Sequence, residues 1–198
     1  MKRLPYIFKI ILPVLVAALG LVIVYKKIDF YPLLLGLIIG VFNWNLHRIN
    51  SIISTLICVI ASYVVYGISI LSFAIYVPIE EVLSNSLGYT IGKDQIAEVG
   101  FIITPFVIAP ILMFLAVKFI FKTVKRRHTT LIIFMTILVL VLQALIFHHS
   151  TFIGIEATQK EFYDYPYILW VIIMVLAIQL ILFNDNPNKS IKNQVKDN

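Results

Sequence analysis

The sequence predicts an all-α integral membrane protein: a bundle of about six transmembrane helices, with a short amphipathic helix on the outer surface near 79–87. Three observations carry that reading. Hydrophobic residues make up 61% of the 198 and charged residues 13%, with a mean hydropathy of +0.98, whereas roughly a quarter of a soluble domain is charged. A chain of this size leaves much of its surface exposed, so lipid and not water must be the solvent for most of it. Six stretches are apolar over, or close to, the roughly 20 residues a helix needs to cross about 30 Å of hydrocarbon. Lys and Arg, finally, collect on one side of the resulting trace, which the positive-inside rule assigns to the cytoplasm.

The stretches are 4–25, 33–48, 51–77, 101–121, 129–149 and 166–184. They read as helices, because isolated strands would leave backbone groups unpaired in lipid and the runs lack the alternation of a barrel. The first follows Met-Lys-Arg, and Ala18-Leu19-Gly20 fits a signal-peptide cleavage site, but the apolar run is at the long end for a signal. It is therefore read as a retained span. The second has a short apolar part, 33–42, followed by Asn43, Asn45 and His47. It is still counted as spanning, since its polar end can face other helices instead of lipid.

After the third, Pro78 can start a helix, with Glu80 and Glu81 in its first turn and Gly88 at its end. Ile79, Val82, Leu83 and Leu87 would form its apolar face, which suits a helix lying on the membrane surface. Asp94 looks like an N-cap for a fourth helix starting near Gln95, and Pro105 and Pro110 should kink that helix. Residues 1–184 thus form one transmembrane domain, and 185–198 a polar, disordered cytoplasmic tail.

Orientation follows from Lys2, Arg3, Lys9, Arg48, Lys118, Lys122, Lys125, Arg126, Arg127, Lys189, Lys192 and Lys196, all on one side. The opposite loops, 78–100 and 150–165, are acidic, and only Lys26–Lys27 dissents. The chain reads as a multi-pass protein of the cell membrane with both termini cytoplasmic. Its net charge of +6 belongs to that arrangement, so the bilayer is the expected partner and nucleic acid is not. A single cysteine, Cys58, allows no intrachain disulfide and no metal-type cysteine spacing.

Four patterns are candidates for function. In helix two, Gly36, Gly40, Asn43 and His47 fall within about 60° of arc, a close-packing face with polar groups that can bond across it. Helix three carries Ser51, Ser54, Thr55, Cys58, Ser62, Ser69 and Ser72 within about 100°, with Tyr66 at the edge, which makes it the expected central helix. In helix five, Thr129, Thr136, Gln143 and Ser150 recur at intervals of seven, about two turns, and the two polar seams are expected to face each other. The outer rim holds His148, His149, Glu80, Glu81 and Glu156, but adjacent histidines point about 100° apart on a helix, so no metal site is read there.

No Asp, Glu, Lys or Arg occupies the middle of a span, which argues against primary ion translocation. No motif implies a cofactor. Glu80-Glu81 opens like the Glu-Glu-x-x-x-Arg motif of CAAX-type intramembrane proteases, but Asn85 stands where the arginine belongs.

In size and topology the chain resembles the substrate-binding membrane subunits of energy-coupling-factor vitamin transporters. That resemblance implies a small permease-type or substrate-binding subunit for an uncharged or zwitterionic molecule, with a membrane partner supplying energy. On this reading the ligand would bind among Tyr66, Ser69, Gln143, His148 and Trp170, although an interfacial position alone also explains Trp170. One alternative is a membrane enzyme acting on a lipid, lipid-linked or peptide substrate, with His148, His149 and Glu81 as acid and base. Another is a non-catalytic immunity, assembly or regulatory protein.

Overall fold

Uninterrupted apolar runs make helices because their backbone groups find partners only within the segment. The computed structural model describes residues 6–25, 27–87, 100, 102–122, 128–152 and 164–183. Six helices carry most of them: α1 (Tyr6–Ile23), α2 (Tyr31–Phe42), α3 (Ser51–Leu87), α4 (Ala109–Ile120), α5 (Thr129–Phe152) and α6 (Asp164–Phe183). Three contain segments long and apolar enough to cross a membrane, namely Ser51–Leu71, Thr129–Phe147 and Pro166–Phe183. Ile7–Ile23, Ile28–Phe42 and Thr104–Ile120 are apolar but shorter. Leu19 on α1, Ile52 on α3 and Phe134 on α5 belong to a broad exposed apolar surface, far larger than a protein in water normally carries.

The polar link between α2 and α3 makes a tight hairpin. Asn43 ends α2, the 3-10 turn Trp44–Leu46 follows, and Asn50 starts α3 by accepting the Ile52 N–H at 2.9 Å, the usual service of an N-cap side chain. The Ser51 hydroxyl donates to the Trp44 carbonyl across the turn at 2.9 Å. The two helix backbones touch. A Cβ on Gly36 would lie 2.5 Å from the Val59 Cα, and one on Gly40 would lie 2.8 Å from the Thr55 Cα. Neither distance is possible for a real side chain, so the two glycines are what allow this approach.

Around that hairpin, α1 packs on α6 and α2, α4 on α3, and α5 on α6. The buried core joins Leu21, Leu35, Ile39, Met113, Leu140, Met174 and Ile178. At one end of the bundle His47 pairs with Phe121 beyond α4 in a two-residue antiparallel bridge, closed by Arg48 N–H to Ile120 at 3.1 Å and Lys122 N–H to Leu46 at 2.8 Å. The Lys9 ammonium lies 5.4 Å from the centroid of Phe183, which puts the start of α1 beside the end of α6. The opposite end holds Asp29, in the 3-10 turn Ile28–Phe30 between α1 and α2.

Three expectations need correcting. Residues 79–87 do not form a separate helix; α3 continues through Pro78 for 37 residues, about 55 Å at 1.5 Å per residue. Pro78 removes one backbone donor, and with no glycine between it and position 88 the helix runs on to Leu87. Nor is α3 central: 28% of its apolar span is buried, against 50% for that of α6. And the seams of α3 and α5 do not meet in an extended interface among the described residues; α3 packs on α2 and α4, α5 on α6 and the segment before α4.

The last two share a cause. Thr55 bonds Ser51 O at 2.8 Å, Ser62 bonds Cys58 O at 2.9 Å and Thr136 bonds Ile132 O at 2.6 Å. A hydroxyl satisfied by its own helix places no demand on a neighbour. Asp94, Glu156 and the tail 185–198 lie outside the described residues, as do the side chains of Glu80, Glu81, His148 and His149.

Candidate functional site

The segment that leads into α4 is shaped by two prolines five residues apart. Thr104–Ile108 is a π turn, with the Ala109 N–H bonded to Thr104 O, a reach of five residues instead of four. In the same register residue 110 would donate to Pro105 O, but Pro110 has no N–H. The indole of Trp170 supplies the missing donor: its Nε1–H bonds Pro105 O at 2.8 Å, across 65 residues of sequence. The prolines thus do more than bend the helix. They expose a carbonyl that anchors the first turns of α6.

Next to this contact lies a cavity of about 240 Å³. Tyr31 and Pro32 of α2, with Ile28 before them, form one side; Val65, Tyr66, Ser69 and Ile70 of α3 form the next. Gly100, Thr104, Pro105 and Ala109 come from the π turn and its flanks, and Tyr167, Trp170 and Val171 from α6. None of these lining residues is charged. Tyr167 is stacked on Phe106 at 6.2 Å between ring centroids, which steadies one wall.

The α3 side of the cavity is tied to the α1–α2 link. Tyr63 donates its hydroxyl to Asp29 O at 3.0 Å, and Tyr66 donates to the Asp29 carboxylate at 3.4 Å. Ser69, one turn on from Tyr66, bonds Val65 O at 3.0 Å. Thr104 is 1% exposed, and its hydroxyl has no partner among the described residues.

Of the five residues read as ligand-binding, the structure brings Tyr66, Ser69 and Trp170 to the lining of one cavity. Gln143 lies elsewhere: its amide donates to Pro166 O at 2.7 Å and ties α5 to the start of α6. The side chain of His148 lies outside the described residues, as do those of His149 and Glu81 on which an enzymatic reading would rest. Tyr31, Thr104, Tyr167 and Asp29 belong to the site and were not singled out by sequence. The five-residue spacing of Pro105 and Pro110 was the available signal for Thr104. Tyr31 and Tyr167 resemble ordinary interfacial aromatics until the helices are assembled.

The other group, Gly36, Gly40, Asn43 and His47, runs along α2 to the opposite end. Asn43 donates to Ile39 O at 2.8 Å. Its carbonyl oxygen and both His47 ring nitrogens are buried without a partner among the described residues. The His47 ring sits 4.9 Å from Phe121 and 6.3 Å from Trp44, centroid to centroid. Burial in this link, outside the apolar helices, pushes the imidazole pKa below its usual value. Among the described residues no three His, Cys, Asp or Glu side chains come together as a metal site.

Apolar and aromatic walls with a few fixed polar groups are the common make-up of a small-molecule site, and no nucleophile paired with a base lines the cavity. No protein-family model, curated protein or solved structure matches this chain.

Proposed function

We propose that this protein is a six-span membrane protein that binds a small uncharged molecule, acting as a permease-type or substrate-binding subunit. The observation that carries the reading is the uncharged aromatic cavity that unites Tyr66, Ser69 and Trp170. Lys9, Arg48, Lys118 and Lys122 lie towards the end of the bundle marked by His47 and Phe183. By the positive-inside rule that end is cytoplasmic, so the cavity near Asp29 lies towards the outer half of the membrane. Helices α1, α2 and α4 complete the spans with the turns that flank them. The chain has no nucleotide-binding motif, so active movement of a ligand would depend on a membrane partner that supplies energy.

The test is native mass spectrometry of the full chain, purified in mild detergent from the membrane in which it is made. A retained neutral small molecule, lost when Ala109→Phe fills the cavity, is the expected result. Protein that holds only lipid, or the same small molecule in wild type and variant, would sink the reading.

A further inference from the structure

Thr104 stands apart from the polar groups around it. The Tyr66 hydroxyl, the Ser69 hydroxyl and the Trp170 indole each donate to an acceptor of the protein. Thr55 and Thr136 engage the carbonyl one turn back. Thr104 does neither among the described residues, although it is buried in the cavity wall. A buried hydroxyl without a bond is unfavourable, and a threonine in helical backbone has two accessible χ1 wells that exchange the positions of hydroxyl and methyl. It is therefore a polar group free to turn towards an occupant.

The cavity limits what that occupant can be. A dry cavity of about 150 Å³ takes benzene, and this one measures about 240 Å³, room for a substituted ring or two fused rings. Tyr31, Tyr66, Tyr167 and Trp170 supply faces and edges for ring contacts. The lining offers a charged ligand no counter-charge, since Asp29 lies outside it and its carboxylate is engaged by Tyr66, and a sugar would leave most of its hydroxyls unbonded.

We infer that the cavity takes a neutral one- or two-ring molecule bearing a single hydrogen-bonding group, and that Thr104 is the residue that reads this group. The inference rests on the ligand-binding reading above and adds the ligand class and the discriminating residue.

The test uses the full chain with Trp44→Phe, which leaves Trp170 as the sole tryptophan, a reporter in the cavity wall. The probes are 4-bromophenol and bromobenzene at neutral pH, the same ring with and without a hydroxyl, whose bromine quenches nearby indole fluorescence. Comparing each probe across variants cancels its partitioning into detergent. Thr104→Val is expected to weaken 4-bromophenol about 5- to 10-fold, the worth of one uncharged hydrogen bond, and to leave bromobenzene within about 2-fold. Thr104→Ser, which keeps the hydroxyl, should restore 4-bromophenol binding. Equal effects on both probes, or none, would overturn the role of Thr104 while leaving a binding cavity in place. Absence of saturable quenching by either probe, or quenching that survives Ala109→Phe, would overturn this inference together with the reading beneath it.

Discussion

At the scale of single residues, His47 makes the sharpest prediction. Its imidazole is 5% exposed and its pKa is lowered by burial. As pH falls through the ordinary histidine value, the unfolded chain takes up a proton that the folded chain does not. Stability is therefore complete above about pH 6.5 and declines as pH drops towards the folded-state pKa, by at most about 1.4 kcal/mol per pH unit. Below that value the loss levels off. His47→Phe removes the titrating group and keeps a ring against Phe121. Melting curves in detergent between about pH 7.5 and 5 should show the wild type losing ground to His47→Phe only on the acid side. A constant difference across that range would show that burial of the neutral imidazole has no such consequence. Cys58 is simpler: the thiol is fully buried, so water-soluble maleimides should label it only after unfolding.

Elements are held together by close approaches that can be tested in pairs. Gly36→Ala places a methyl into the backbone of α3, so it should destabilise by about 1–3 kcal/mol, the usual range for overpacking. Gly67, also helical, has nothing within 4 Å of where its Cβ would be. Gly67→Ala should therefore stabilise by about 0.5–1 kcal/mol, the helix preference of alanine over glycine. Thermal unfolding of both variants tests the α2–α3 contact, and equal effects would count against it. The π turn offers a double-mutant cycle. Trp170→Phe leaves the Pro105 carbonyl without its indole donor and should cost about 1–3 kcal/mol. Pro110→Ala gives the chain back an N–H for that ladder, so the indole loss should be smaller in the Pro110→Ala background than in wild type. Additive effects would mean that Pro110 and Trp170 do not serve the same carbonyl.

For the whole molecule, the two ends of the bundle can be assigned to the two sides of the membrane. In a Cys58→Ala background, Lys27→Cys is expected to react with an impermeant thiol reagent in intact cells. Lys122→Cys should react only after the membrane is opened. The reverse pattern would invert the topology and place the cavity towards the cytoplasm, and reaction of both in intact cells would contradict an odd number of spans between them.

How much was legible follows from where each feature draws its cause. Helix existence was readable, because in lipid each segment must satisfy its own backbone and an apolar run has only one way to do so. Tyr66 and Ser69 were readable as neighbours, because three residues is close to one helical turn. Gly36 and Gly40 could be placed on one face for the same reason, but nothing local said that Thr55 and Val59 of α3 would lie against them. The polar stripe of α3 misled about its place in the bundle, since Ser62 and Ser69 bond within their own helix and leave the packing free. Sequence alone therefore determined the helical, membrane-suited character of the chain and the residues that share a helix face, all consequences of local geometry and solvent. Only the tertiary structure decided which faces meet. The union of Tyr31, Thr104, Tyr167 and Trp170 around one cavity depends on contacts between distant segments, and helices that are apolar all round carry no periodic mark of which side will be buried.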